Sequence, residues 1–508
     1  MERSIYPKGS PVIQVAAWLA GLLFIYAGFP VTIEVRRKSK ERPFIMILFI
    51  HRKDLRIDDL TAFDYIHSLG RPSLHVLILD PFLLRDGRDR EHSGINFLRH
   101  VSRLIREYRK AGAHLEVLAG EPHVVVDQLL DALPIEEIVL NGDITPYALV
   151  RDRKLKVSAS ARGVPVTTLI DHTLADFGDF QHFAERRTPY QVFTPFYKKW
   201  NAYMHLFFRP SSAVTVRDLQ TRPLPDREAW SARFPLPLDP EAAGTAPDPA
   251  QTLSDFLEGG LRAYEAQRDR YAFETTSGIS RHLNTGALSV RRAYEAALGS
   301  ERHEAWTRQL AWRDFYLYQA VYNPDFFVYE KKFDFSGLED TLFERWCRGQ
   351  TGIPVVDAAM AELNATGHMP NRLRMVTAMF LTKNLRCPFT LGERYFRRKL
   401  ADYDNVLNRG GWLWSASLGF DASPYFRVMN PVTQSETHDP TGMYIRRWLP
   451  HLAHLGDKEI HKPQADAIVD LKSSRAAAIE IYKHMLAEAK PDAGAGPAGF
   501  SPDGFPPV

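Results

Sequence analysis

The sequence predicts an α/β domain built on a doubly wound parallel sheet, then a long connector, then an all-α domain. Three observations lead there. Between residues 46 and 175, short apolar runs alternate with amphipathic ones. Residues 47–50, 74–79, 115–118, 138–140 and 164–169 are near-continuous apolar stretches, the pattern of parallel strands buried on both faces. Residues 95–111 and 124–133 carry helical periodicity and read as crossover helices. Second, residues 176–251 hold many prolines, notably in 222–226 and 234–249, and are expected to be an irregular interdomain connector. Third, strand signals vanish from residue 252 to 489 and helical periodicity takes over. No internal repeat is evident. Residues 490–508, rich in Gly, Pro and Ala, are expected to be a disordered tail.

Composition narrows the class. The 508 residues are 45% hydrophobic and 25% charged, which excludes wholesale disorder, collagen-like repeats and a polytopic membrane protein. Two cysteines, Cys347 and Cys387, can neither build a disulfide framework nor hold an iron–sulfur cluster alone. They suit a reducing compartment, so a cytoplasmic location is expected. The net charge of +3 permits a nucleic-acid partner without demanding one.

The first 45 residues stand apart. Residues 12–33 are almost uncharged and apolar, and Arg36, Arg37, Lys38, Lys40 and Arg42 follow. That length suits a membrane span with a cytoplasmic basic flank. A fresh strand begins at Met46, so residues 1–45 are expected to be a leader outside the fold: a start placed too early, an anchor or a signal sequence. Membrane association is expected only if that leader is real.

Four segments of the helical half carry chemistry. Thr276, Ser277, Gly278, Ile279 and Ser280 put hydroxyls and a glycine before a helix, a setting for phosphate or for an ordinary N-cap. Gln309, Trp312, Arg313 and Tyr316 fall at i, i+3, i+4 and i+7 and share one helical face. Such a face is poor core and suits a flat aromatic partner with hydrogen-bonding edges. Asn371, Arg374 and Met375 share another face. Asp402, Tyr403, Asp404 and Asn408 precede Gly410-Gly411-Trp412-Leu413-Trp414. Acids at this density need a partner such as Arg374 if buried; magnesium held by Asp402, Asp404 and Asn408 is the rival reading, and no metal is expected.

In this order and spacing the four segments resemble the photolyase/cryptochrome flavoproteins, with a pattern like that of the class I cyclobutane pyrimidine dimer (CPD) photolyases. Further matches are Arg52-Lys53-Asp54-Leu55-Arg56, residues 352–360, residues 421–427 with Asn430-Pro431, and residues 444–450. The resemblance spans about residues 46–484. It implies an α/β antenna domain and a helical domain that cradles FAD. By position, Tyr264 and residues 276–280 would hold the FAD phosphates, and Trp306 and Arg313 would lie along the pocket. Asp402 would pair with Arg374 beneath the flavin, Tyr403 and Asp404 would contact the cofactor, and Asn408 would face flavin N5.

The implied partner is UV-damaged DNA, met by a monomer. The implied reaction is light-driven electron transfer from reduced FAD to a flipped-out dimer, whose cyclobutane ring opens. Trp312 and Trp414 would stack on the dimer, with Gln309, Asn371, Met375 and Asn408 at the reacting centre. Arg268, Tyr316, Arg372 and Gln434 would contact DNA. A second antenna chromophore, of folate or deazaflavin type, would lie near residues 141–152, although no match to the usual folate-holding glutamate is found.

Several positions depart from the family pattern. Gln309 stands where CPD photolyases carry Glu, and Gln there is also seen in (6-4) photoproduct repair; Asn371 and Met375 follow the CPD type. The photoreducing wire of three tryptophans keeps only Trp412, with Phe389 in the middle and Phe335 or Ser336 at the end. Phenylalanine is hard to oxidise, so photoreduction is expected to be slow unless Trp414, Tyr395 or Tyr403 gives another route. His368-Met369-Pro370 replaces Trp-Met-His before Asn371, Gly278 replaces a common Arg, and His51 replaces an aromatic. A cryptochrome-like photoreceptor with weak repair, or (6-4) repair, are the alternatives these departures raise.

Overall fold

The computed structural model describes residues 45–273 and 275–489. The expectations for the leader before residue 45 and for the tail from residue 490 lie outside the described residues. The sheet joins β1 (Met46–His51), β2 (Ser73–Leu79), β3 (Glu116–Ala119), β4 (Ile135–Asn141) and β5 (Val166–Leu169). Its order is β3-β2-β1-β4-β5, all parallel, with Leu48 opposite both Leu74 and Ile138. Crossovers α1 (Thr61–Leu69), α2 (His92–Ala111), α3 (Pro122–Ala132) and α4 (Pro146–Ser160) cover both faces, as parallel strands require. Every residue of β1 is buried. The doubly wound sheet expected from the sequence is therefore present.

The order reverses at β1, so the β1 and β4 carboxyl ends form the switch-point crevice. His51, which stands where the family pattern has an aromatic, ends β1. It is buried, 3.0 Å from Asp54 Oδ1 and 2.6 Å from the Tyr108 hydroxyl.

The segment 176–251 departs from the irregular reading. It contains the 15-residue helix α5 (Phe193–Phe207), whose Phe193, Phe196, Trp200, Tyr203 and Met204 are buried. These side chains pack into the core of the helical half, whereas Val216, Leu224, Trp230 and Phe234 of the same segment pack against the sheet. Pro195 falls in the first turn, where its missing N–H costs nothing.

The helical half is built around α6 (Glu304–Tyr322), α7 (Pro354–Thr366), α8 (Asn371–Met379), α9 (Phe389–Lys399), α10 (Asn405–Ser415) and α11 (Leu471–Ala487). Buried charges tie it to the sheet. Arg291 donates to Asp59 at 3.0 Å and to Asp171 at 2.9 Å, and Arg56 pairs with the same Asp171. Gly286 sits at φ +71°, where a Cβ would lie 2.0 Å from the Lys53 carbonyl oxygen. Asp314 on α6 accepts from the main-chain N–H groups of Leu174 and Ala175 and from Trp200 Nε1. That buried carboxylate fixes α6 against both the end of the sheet and α5. No described helix is long and apolar enough to cross a membrane.

Candidate active site

A cleft of about 550 Å³ opens in the helical half, a volume within the usual range for cofactor sites. It gathers nearly every site residue the sequence singled out. Tyr264, Thr276, Ser277, Gly278, Ile279 and Ser280 form one wall. Trp306, Gln309, Trp312, Arg313 and Tyr316 arrive from α6; Asn371, Arg372, Arg374 and Met375 from α8. Asp402, Tyr403, Asp404, Asn408, Trp412 and Trp414 come from α10 and the turn before it, and Arg268 closes the rim.

Local sequence explains the placement. Pro370, at φ −53° and ψ 141°, is the N-cap of α8 and presents Asn371 and Arg374 in its first turn. Asp404 caps α10 by accepting from the N–H groups of Val406 and Leu407, at 2.9 and 3.1 Å. Gly410 lets α10 lie against α6: a Cβ there would meet Tyr316 Cδ1 at 2.3 Å.

The expected ion pair is present. Arg374 Nη2 donates to both oxygens of Asp402 at 3.1 and 3.0 Å. Ser280 Oγ donates to Asp402 Oδ2 at 2.7 Å, and Asn284 Nδ2 donates to the Asp402 main-chain oxygen. Burial alone would raise the Asp402 pKa, but the Arg374 guanidinium and the Ser280 hydroxyl together outweigh it and hold the carboxyl below the ordinary carboxylate value. Asn408 Nδ2 donates to the Glu393 main-chain oxygen at 3.1 Å. That bond fixes the amide orientation and leaves Oδ1 as its acceptor. Gln309 is likewise set: Nε2 donates to the Ala305 carbonyl at 3.3 Å, and Oε1 accepts from Arg268 at 3.4 Å. Trp312 stacks on Phe193 with ring centroids 3.6 Å apart, leaving its other face to the cleft. Arg372 is paired with Asp269 at 2.5 Å.

FAD suits this lining. Hydroxyls of Thr276, Ser277 and Ser280 flank Gly278, which is at φ +63° with open space where a Cβ would be. Gly411 also faces open space. Arg313 Nε and Trp412 Nε1 are buried donors with no partner among the described residues. Five arginines and three aspartates line the cleft, a balance that favours a phosphate-bearing occupant. The magnesium reading fares worse, because Arg374, Ser280 and the α10 cap occupy the carboxylates it would use.

Family comparisons identify the architecture. A DNA photolyase profile matches residues 47–215, and the FAD binding domain of DNA photolyase matches residues 306–492. The chain belongs to the DNA photolyase family. It is 36% identical over 435 residues to a deoxyribodipyrimidine photo-lyase of Alkalihalophilus pseudofirmus, covering 81% of this chain and 88% of that one. The Escherichia coli enzyme of the same name is 38% identical over 296 residues, covering 54% and 61%. Among solved structures, a class III photolyase from Agrobacterium tumefaciens superposes with a TM-score of 0.75 at 28% identity, covering 89% of this chain and all of that one. A Synechocystis cryptochrome also gives 0.75, at 26% identity, covering 87% and 100%.

Not every expectation falls in the photolyase cleft. Gln434 is outside its lining, on the helix Pro431–His438, where its main-chain oxygen accepts from the Tyr271 hydroxyl. Its position was carried over by resemblance alone, and no periodicity ties that short helix to the cleft. Conversely, Arg281, Asn284 and His368 line the cleft without having been singled out as site residues. Asn284 follows Ser280 by one helical turn, a spacing that would have found it had the hydroxyl run been extended along the helix. Asn141 and Asp143 reach a second cavity at the switch point, lined also by Arg52, Lys53 and His172, but its volume of about 40 Å³ suits water rather than a chromophore.

Proposed function

We propose that the protein splits cyclobutane pyrimidine dimers in UV-damaged DNA, using light and reduced FAD held in the cleft. The observation that carries this reading is the meeting of two kinds of surface in one cleft. One is a flavin-type floor of Arg374–Asp402 and Asn408; the other is a wall of Trp312, Trp414, Asn371 and Met375. Bound there, FAD supplies the light absorption and the one-electron donor chemistry.

The chain's own residues supply the rest. Arg374 and Asp402, with Ser280, fix the floor, and the hydroxyls of Thr276 and Ser277 suit the phosphates. Asn408 presents a fixed acceptor. Trp312 and Trp414 offer aromatic faces to a dimer rotated out of the duplex, at about 1–3 kcal/mol of stacking per base. Flipping costs least for a damaged, poorly paired site. Gln309 holds a hydrogen-bonding edge toward the base, with Arg268 against it. Arg268, a partly exposed cation of the cleft lining, suits the phosphate backbone.

Repair of (6-4) photoproducts is the second reading, favoured by one observation: an amide rather than a carboxylate at position 309. Dark binding separates the two. Pre-reduced protein should bind an oligonucleotide carrying a CPD more tightly than one carrying a (6-4) product. The reverse order would favour the second reading.

A further inference from the structure

Trp412 is oxidisable and lines the cleft, but the positions expected to continue its wire are Phe389 and then Phe335 or Ser336. Phe389 and Phe335 lie with centroids 6.0 Å apart, and neither ring is a practical electron donor. A different aromatic series starts at the same indole. Trp412 meets Trp346 edge-on at 6.2 Å, and Trp346 meets Tyr395 edge-on at 5.7 Å. Phe396 fills the angle, 5.0 Å from Trp412 and 5.9 Å from Trp346. Trp346 lies on the short helix Phe343–Cys347 and is fully buried, while Tyr395 on α9 is partly exposed. Donors therefore step outward from cleft to surface.

We propose that Trp346 and Tyr395 relay electrons to Trp412 and so replace the interrupted wire. This inference rests on the cleft holding FAD. Trp412 gives one electron to the light-excited, oxidised flavin; Trp346 refills Trp412, and Tyr395 refills Trp346. Tyr395 loses its phenolic proton to bulk water as it loses the electron, and an external thiol then returns an electron and a proton. Thus a thiol is oxidised and flavin reduced, one electron per photon.

The local chemistry suits each role. Trp346 Nε1 donates to the Thr377 carbonyl oxygen at 3.1 Å, whose dipole favours positive charge on the indole. Tyr395 holds its hydroxyl 2.5 Å from Asn364 Oδ1, and the Asn364 amide is fixed by its own bond to the Cys347 carbonyl at 2.8 Å. Burial pushes the Tyr395 phenol up to about 12, so it enters the relay protonated.

The test uses FAD-loaded full-length protein under blue light with an external thiol. Flavin absorbance is followed beside transient absorption and electron paramagnetic resonance of the radicals. Unmodified protein should photoreduce and show a neutral tyrosyl radical. Trp346→Phe should slow photoreduction by about tenfold, equivalent to about 1.4 kcal/mol of barrier. Tyr395→Phe should lack the tyrosyl signal and leave a short-lived tryptophan radical. Pre-reduced Trp346→Phe should repair dimers at the unmodified rate. A Trp346→Phe protein that photoreduces as fast as the parent overturns the relay. Should that variant fail to hold flavin, Tyr395→Phe decides: an unchanged radical spectrum and rate overturn the proposal equally. If unmodified protein binds no FAD, both the relay and the cofactor reading fall. If it binds FAD and repairs when pre-reduced yet forms no tyrosyl radical, the relay alone falls.

Discussion

Removing the Asp402 carboxylate tests the floor of the cleft. Asp402→Ala deletes the acceptor of two Arg374 contacts, at 3.1 and 3.0 Å, and of the Ser280 hydroxyl at 2.7 Å. The side chains are 14% and 25% exposed, for Asp402 and Arg374 respectively. Breaking a buried pair by removing one partner costs about 3–5 kcal/mol. A guanidinium one-quarter exposed keeps part of its hydration, which places the cost at about 3 kcal/mol. If that cost falls on the flavin-bound form, FAD binding weakens by roughly 100-fold. Asp402→Asn keeps an acceptor for Ser280 and loses only the charge, so it should retain more flavin than Asp402→Ala. Acid should act in the same direction. The folded-state pKa of Asp402 is depressed, so its contribution is complete above about pH 4 and is lost as pH falls through the folded value. The assay is flavin retained per chain after gel filtration, with a thermal melt on the same sample. Asp402→Ala protein that keeps stoichiometric FAD and melts with the parent would show that the ion pair does not hold the flavin floor.

Three further outcomes are expected. Gln309→Glu places an ionised acceptor beside Arg268, 3.4 Å away in the present amide; a hydrogen bond to a charged group gains about 1 kcal/mol, or roughly fivefold in CPD repair rate, and an unchanged or lower quantum yield counts against it. Trp312→Ala should weaken dark binding of a dimer by about 1–3 kcal/mol per stacked base while FAD content holds; equal affinity on titration would remove Trp312 from the dimer wall. His100 and His282 face each other at 2.8 Å across the sheet–helix boundary, pushed down by burial to about 3 and about 4. Both bases are neutral when folded, so stability should fall as pH drops from about 6.5 toward 4, with His100→Gln flattening that urea-denaturation profile.

Much of the site was legible because it depends on short-range periodicity. Gln309, Trp312, Arg313 and Tyr316 repeat on a helical period, and the helix α6 does bring all four to the cleft. Asp402 and Arg374 are 28 residues apart, and only their joint need for a counter-charge and the family spacing connected them. Helix α5 was hidden because prolines on both sides, and Pro195 within, resemble loop punctuation, whereas its burial pattern needs partners from α6 to be recognised. Trp346 sits on a five-residue helix with no periodicity of its own; its contact with Trp412 spans 66 residues and is purely tertiary. The apolar run at residues 12–33 of the leader falls outside the described residues.

Dimer splitting is measured by illuminating chemically reduced, FAD-loaded protein with blue light in the presence of an oligonucleotide carrying a single thymine dimer. Chromatography of the DNA against light dose measures restored thymines. Dimer loss should rise with dose, require both light and reduced flavin, and disappear with Trp312→Ala at limiting DNA. Full FAD occupancy with no dimer loss at saturating DNA and light would contradict it.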